Sequence, residues 1–200
     1  LEWLSNQNIV STYVYGVRAH VFSLVPGDKY RKRLDSDLDW LLSAVNVGAA
    51  DSPGSSGYIG ATKDGAMGVF DNSNSQFGVL GVWMATEAGQ TSDKLTRFWK
   101  MVEGHWLKEQ NADGGWSYRK GPSYNTSTGS MTAAGLTSLY VILDRVYGRG
   151  GHKKAGNVIT AIDSGLDWYA KNFSTENPNG EARWQYYYLY GVERVGRLAH

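Results

Sequence analysis

The sequence predicts an all-α fold built from helical hairpins, and three observations carry that expectation. Apolar residues return three and four positions apart while period-two alternation is scarce, the pattern of helices with one buried face. Gly-rich turns punctuate the chain between those stretches, at 48–68, at Gly114-Gly115 and at Pro178-Asn179-Gly180. Similar Trp-bearing stretches recur as LEWL at 1–4, LDWL at 38–41, GHWL at 104–107 and LDWY at 166–169. The intervals between their tryptophans are 37, 66 and 62 residues, and the last two point to one repeated unit of outer helix, loop and inner helix.

Taken in order, Leu34, Leu38, Leu41, Leu42 and Val45 form the first apolar stripe. The polar cluster Asp71-Asn72-Ser73-Asn74-Ser75 then caps a helix carrying Phe77, Leu80, Val82, Trp83 and Met84, with Gly89 at its end. Leu95, Phe98, Trp99, Val102, Trp106 and Leu107 share a buried face behind a cap at Thr91 or Ser92. Ser130 is expected to cap a helix through Met131, Ala134, Leu139, Tyr140 and Leu143, stopped near Gly148. Asn157 opens the next, through Ile159, Ile162, Leu166, Tyr169 and Phe173. A last helix over 182–198 carries Trp184, Tyr187, Tyr188, Gly191 and Val195.

Composition narrows the functions. At 200 residues the chain fits one domain spanning 1–200. Twenty Lys and Arg against 19 Asp and Glu leave a net charge of +1, without the one-sided field that binding a phosphate backbone requires, so nucleic acid is not an expected partner. The chain has no cysteine, which removes disulfides, thiolate nucleophiles and thiolate metal sites. The longest strongly apolar run, 77–85, is far short of the roughly 20 residues that span a bilayer. With 25 Gly, 8 Trp and 13 Tyr, the chain is expected to fold around aromatic rings. Leu1 begins inside an apolar pattern, so a longer parent polypeptide is expected.

The most specific stretch is WLKEQNADGGW at 106–116. Gln110 near a helix end can bond free backbone groups, Gly114 and Gly115 permit a tight turn, and Trp116 can stack over it. This stretch resembles the QW repeat of squalene-cyclase and prenyltransferase-type α/α toroids. DNSNSQFGVLG at 71–81 and GSMTAAGLTSLY at 129–140 each look like the polar cap and small-residue inner helix of such a toroid. The segment 186–196 resembles another inner helix in large bacterial proteins of this type, which mostly lack an assigned activity. The resemblance implies a partial α/α toroid, with hairpins in a ring or arc. A closed ring of this kind needs about five to seven hairpins and about four are legible here, so the terminal units around 1–24 and 184–198 are expected to expose apolar surface.

The chemistry that the resemblance brings with it is not matched by residues. The Asp-x-Asp-Asp acid motif of the cyclases is absent, and Asp35, Asp37 and Asp39 are read as a solvated first helical turn. The zinc thiolate of the prenyltransferases is absent too, and His20, His105, His152 and His200 lack metal-ligand spacing, so neither metal nor cofactor is expected. Asp71, Asn74 and Gln76 stand where an inner helix begins, either as caps or facing a central cavity that takes a polar ligand. Glu193 and Arg194 suit a carboxylate, sugar or phosphate, or else form an intrahelical pair in which Glu193 meets Arg197. Tyr187, among Tyr186, Tyr188 and Tyr190, is read as core packing or as a ligand platform. The basic runs 29–33 and 149–154 read as solvated turns. Asn125-Thr126-Ser127 and Asn172-Phe173-Ser174 fit a glycosylation acceptor pattern.

Three functions stay open. The first is a non-catalytic toroid segment serving as a binding or interaction module in a larger bacterial protein, at the cell envelope or periplasm, with the rest of its parent or a second copy as partner. The second is a carbohydrate-active lyase or hydrolase, marked by two carboxyls about 5–9.5 Å apart, or a Tyr beside an Arg, in one open cleft. The third is an isoprenoid-binding protein with an aromatic-lined apolar cavity.

Overall fold

A computed structural model of the chain describes residues 1–48, 52–60, 69–121, 124–148 and 151–199. Residues 49–51 and 61–68 of the expected 48–68 loop, Arg149 and Gly150 of the 149–154 run, and His200 lie outside the described residues. The protein is all-helical, with α1 Glu2–Ser5, α2 Thr12–Ser23, α3 Arg31–Ala44, α4 Asn72–Glu87, α5 Leu95–Glu109, α6 Gly129–Ile142, α7 Gly156–Asn172 and α8 Gln185–Leu198. A π-helical turn, Leu143–Tyr147, extends α6, and short 3-10 turns lie at His152–Lys154 and Ala182–Trp184. Among the described residues there is no strand, only the isolated bridges Ser11–Ile59 and Gly57–Phe70. The chain divides into two compact units, Leu1–Val102 and Glu103–His200.

In the first unit α4 is the buried helix. Phe77, Val79, Leu80, Val82 and Ala85 are all in the core. The expected stripe of α3 packs there as well, with Leu34, Leu38, Leu41 and Leu42 buried. Helix α2 lies against α4 at backbone contact. A Cβ on Gly16 would run into the Phe77 carbonyl, and one on Gly81 would sit 2.7 Å from both Gly16 Cα and Leu41 Cδ1. No side chain fits between these two backbones, so Gly81→Ala is expected to cost about 1–3 kcal/mol by overpacking, read from urea unfolding. Wild-type stability in that variant would mean that α2 and α4 stand further apart.

Helix α2 carries none of the stripes expected from the sequence. Its residues TYVYGVRAHVFS are rich in β-branched and aromatic types of modest helix propensity, with a glycine in the middle. Packing on α4 selects the helix.

In the second unit α6 takes the buried role. Met131, Ala133, Ala134, Leu136, Leu139, Val141 and Ile142 are in the core, and so are its polar residues Thr132, Thr137 and Ser138. Gly191 of α8 approaches Ala133, where an added Cβ would lie 2.7 Å from Ala133 Cβ. Gly165 of α7 approaches Leu136 and the Trp116 ring, at 2.8 and 3.0 Å on the same measure. The starts of α6, α7 and α8 differ from expectation. Thr128, not Ser130, caps α6 by accepting the Met131 N–H at 3.3 Å, while the Ser130 N–H goes to Asn177 Oδ1 at 2.9 Å. Helix α7 begins at Gly156 without a side-chain cap, one residue before Asn157, and α8 begins at Gln185 after the 3-10 turn.

The two units enter their buried helices through the same turn. In the first, the Gly54 N–H bonds Asn46 O at 2.9 Å, the Asn46 N–H bonds Ser55 O at 2.8 Å, and the Asp71 N–H bonds Ser56 O at 3.3 Å. In the second, the Gly114 N–H bonds Asn111 O at 3.0 Å, the Asn111 N–H bonds Gly115 O at 2.9 Å, and the Thr128 N–H bonds Trp116 O at 3.0 Å. Each turn then donates one amide to a hydroxyl of the buried helix, Ser56 to Ser75 Oγ at 2.9 Å and Trp116 to Thr132 Oγ1 at 3.2 Å. Gly54 and Gly114 have φ of +91° and +92°, and a Cβ at either would collide with a helix carbonyl, that of Met101 or of Ser164. Only glycine meets both demands.

Candidate functional site

Asp71 precedes α4 with extended backbone, where its carboxylate can reach the free amides of the first turn. It is fully buried and accepts three bonds, from the Asn74 N–H at 2.8 Å, the Ser73 hydroxyl at 2.5 Å and the Asn74 Nδ2–H at 2.9 Å. The carboxylate is thus occupied as a cap at the positive end of the helix dipole. Asn74 and Gln76 are buried beside it. Asn74 Oδ1 has no hydrogen-bond partner among the described residues, nor do the buried hydroxyls of Thr12 and Ser55 in the same unit.

A charged centre that the sequence did not reveal lies between α2 and α3. Arg18 and Asp37 are both excluded from solvent and joined by two bonds, Nε to Oδ2 at 2.8 Å and Nη2 to Oδ1 at 2.6 Å. Arg18 Nη1 and Arg33 Nη2 both donate to Gln7 O, at 3.0 and 3.1 Å, and Arg33 Nε stands 3.5 Å from Asp37 Oδ1. Burial pushes the Asp37 carboxyl up, and the two guanidinium groups oppose that shift. This corrects the reading of 35–39 as a solvated first turn. The segment is in mid-helix, and Asp37 points inward while Asp35 and Asp39 are exposed. The basic run 29–33 is corrected in part, because Arg31 already begins α3 and Tyr30 is buried, stacked on Phe22 at 4.8 Å. A shallow groove of about 510 Å³ nearby is lined by Glu2, Ser5, Lys29, Tyr30, Lys32 and Arg33, with Lys29 paired to Glu2 at 2.7 Å.

In the second unit Gln110 and Gly114-Gly115-Trp116 form one bonded turn. Gln110 Nε2 donates to Gly114 O and to Ala161 O, each at 2.8 Å. Trp116 is wholly buried, and its indole N–H reaches Trp106 O at 3.0 Å. Asp113, which sequence reading passed over, holds the turn to its surroundings. It accepts from the Gly115 N–H at 3.0 Å, the Ser127 hydroxyl at 2.7 Å and Trp168 Nε1 at 3.1 Å. Ser127 is therefore a buried strut within the acceptor-like triplet 125–127.

His105, on the buried face of α5, is pushed down to about 3 by burial and by the Lys108 charge. Its folded value lies below the unfolded one, so the unfolded chain takes up a proton that the native state refuses. Stability is therefore expected to fall with pH by about 1.4 kcal/mol per unit between about 6.5 and about 3 from this group. Urea titrations of His105→Phe against wild type check the slope, and an unchanged slope would show that His105 protonates in the native state.

Of the α8 candidates Glu193 is exposed, while Arg194 and Tyr187 are part-buried. Glu193 accepts from Arg194 Nε at 2.7 Å and from Arg197 Nη1 at 3.3 Å, and the Arg194 guanidinium lies 5.0 Å from the Tyr190 ring centre. Tyr187 is half-buried and Tyr186 fully solvent-facing. Tyr188 is buried, stacks on Tyr169 at 6.4 Å and donates to Ser174 O at 2.9 Å, and burial pushes both phenols up. The six expected ligand residues thus divide by unit, Asp71, Asn74 and Gln76 in the first and Tyr187, Glu193 and Arg194 in the second.

Among the described residues no group of three or more His, Asp or Glu is placed to hold a metal ion. No described helix is long and apolar enough to cross a membrane. In comparisons with known proteins, no family model, no curated protein and no solved structure matches the chain.

Proposed function

We propose that the chain is a segment of a squalene-cyclase/prenyltransferase-type α/α toroid that works as a non-catalytic binding or interaction module within a larger bacterial protein. The repeated turn supports the toroid part of this reading. Asn46, Gly54 and Ser56 in one unit and Asn111, Gly114 and Trp116 in the other lead from an outer helix into a buried small-residue helix by the same bonds. The polar side chains at those entrances serve as caps and struts, which favours a module over an enzyme.

The observation that carries the interaction part is the outer face of α2. Val14 and Val17 are exposed one turn apart, with the part-exposed Tyr13 beside them reaching over to Phe77 at 4.1 Å, and Val10 and Leu24 are exposed just outside the two ends of the helix. Exposed apolar side chains gathered along one short helix mark a surface that is covered in the working protein. Light scattering over a dilution series tests the reading, with Val14→Glu/Val17→Glu as the paired variant. Wild type is expected to gain mass with concentration while the variant stays monomeric with an unchanged melting temperature. A wild type that is monomeric at every concentration, or a variant that associates equally, would remove the support.

A further inference from the structure

The stretch 117–127 joins the Gly-Gly-Trp turn to α6 and contains no acidic residue, two cations and two tyrosines. Its anchors are firm. The Thr128 N–H bonds Trp116 O at 3.0 Å, the Ser117 hydroxyl bonds Arg119 O at 2.7 Å, and Lys120 Nζ bonds Lys108 O at the end of α5 at 2.5 Å. On this base Tyr118, Arg119 and Tyr124 form a triangle. The two ring centres are 6.5 Å apart with planes at 45°, and Arg119 Cζ lies 5.5 and 5.7 Å from them.

Arg119 has no carboxylate partner among the described residues, and its Nε is buried without any acceptor. A guanidinium beside two rings, with its Nε–H unspent, is set to receive an anion in the planar two-bond geometry that carboxylates offer. The rings beside it add apolar faces for C–H groups, and the exposed Tyr124 adds a hydroxyl for polar ones, the mixed surface that a sugar ring matches. Tyr124 is 47% exposed, and Tyr118 and Arg119 are half-buried beside it.

We infer that Tyr118, Arg119 and Tyr124 form a binding site for an acidic saccharide, a sugar ring carrying a carboxylate. The carboxylate pairs with Arg119 while the ring lies on the tyrosines. This site is independent of the α2 face, so either can fail without the other.

Calorimetric titration of the whole chain with tri-galacturonate tests the site, with a neutral glucose trisaccharide, AMP and inorganic phosphate as competitors. Saturable binding is expected for the acidic trisaccharide, weakened tenfold or more by Arg119→Gln and by Tyr124→Ala and unchanged by Arg97→Gln, an exposed cation of α5. The neutral sugar is expected to bind at least tenfold more weakly, and neither AMP nor phosphate to displace the acidic one at equal concentration. Arg119→Gln is expected to melt like wild type, since the Arg119 Nε–H has no acceptor to lose. Four results would overturn the site: no saturable binding, equal binding of the neutral sugar, displacement by AMP or phosphate, or equal weakening by Arg97→Gln. Displacement would identify a nucleotide or simple anion site instead.

Discussion

Replacing Trp116 with alanine is expected to lower the unfolding free energy by about 3–5 kcal/mol, through lost transfer energy and the cavity left behind. The indole is wholly buried, and glycines at 135 and 165 let α6 and α7 close on its ring. The substitution also strips Trp106 O of the indole N–H it accepts at 3.0 Å. Trp116→Phe keeps most of the ring volume and loses the hydrogen bond, and is expected to cost less. Urea unfolding with an unchanged slope measures both, and an alanine cost below about 1 kcal/mol would mean that Trp116 does not anchor the unit.

Asp37→Ala is expected to destabilise the first unit by about 3–5 kcal/mol, because it leaves the Arg18 guanidinium buried without its counter-charge. The cost comes from the orphaned partner more than from the lost bond, so removing both charges behaves differently. The double substitution Arg18→Met/Asp37→Leu is expected to cost less than Asp37→Ala alone, since two apolar side chains need no compensation in a dry site. Thermal and urea unfolding of Arg18→Met, Asp37→Leu and the double variant closes the cycle. If Asp37→Ala melts within a degree or two of wild type, water reaches Arg18 and the pair is not buried.

The parts of the fold legible in sequence were those in which burial and helix period coincide. Leu34, Leu38, Leu41 and Leu42 mark one face of α3, and the cluster opened by Asp71 marks the start of α4, so both could be read directly. Helix α2 could not, because its apolar residues surround it and its identity rests on contact with Gly81 and Phe77. Thr128 and Ser130 stand two apart and either hydroxyl can cap, so only the tertiary contact of Ser130 with Asn177 separates them.

The repeat was half visible. Gly114-Gly115-Trp116 announces itself by composition, whereas its counterpart Gly54-Ser55-Ser56 has a serine in place of the tryptophan and a longer excursion from Asn46. Of the candidate site, the capping role of Asp71 follows from its residue type, but its complete burial depends on distant chain. Asp37 looked solvated because nothing local marks Arg18, nineteen residues earlier, as its partner. The Tyr118, Arg119 and Tyr124 triangle carries no periodic signal at all.

Each unit is held by one buried small-residue helix clamped at its entrance by the same glycine turn. Native-state amide hydrogen exchange tests this residue by residue. The slowest amides are expected at 79–85 of α4 and 133–142 of α6, together with Ser56 and Trp116, whose N–H groups bond the buried Ser75 and Thr132 hydroxyls. Exchange in α4 or α6 as fast as in the short exposed helix α1, or fast exchange at Ser56 and Trp116 alone, would contradict it.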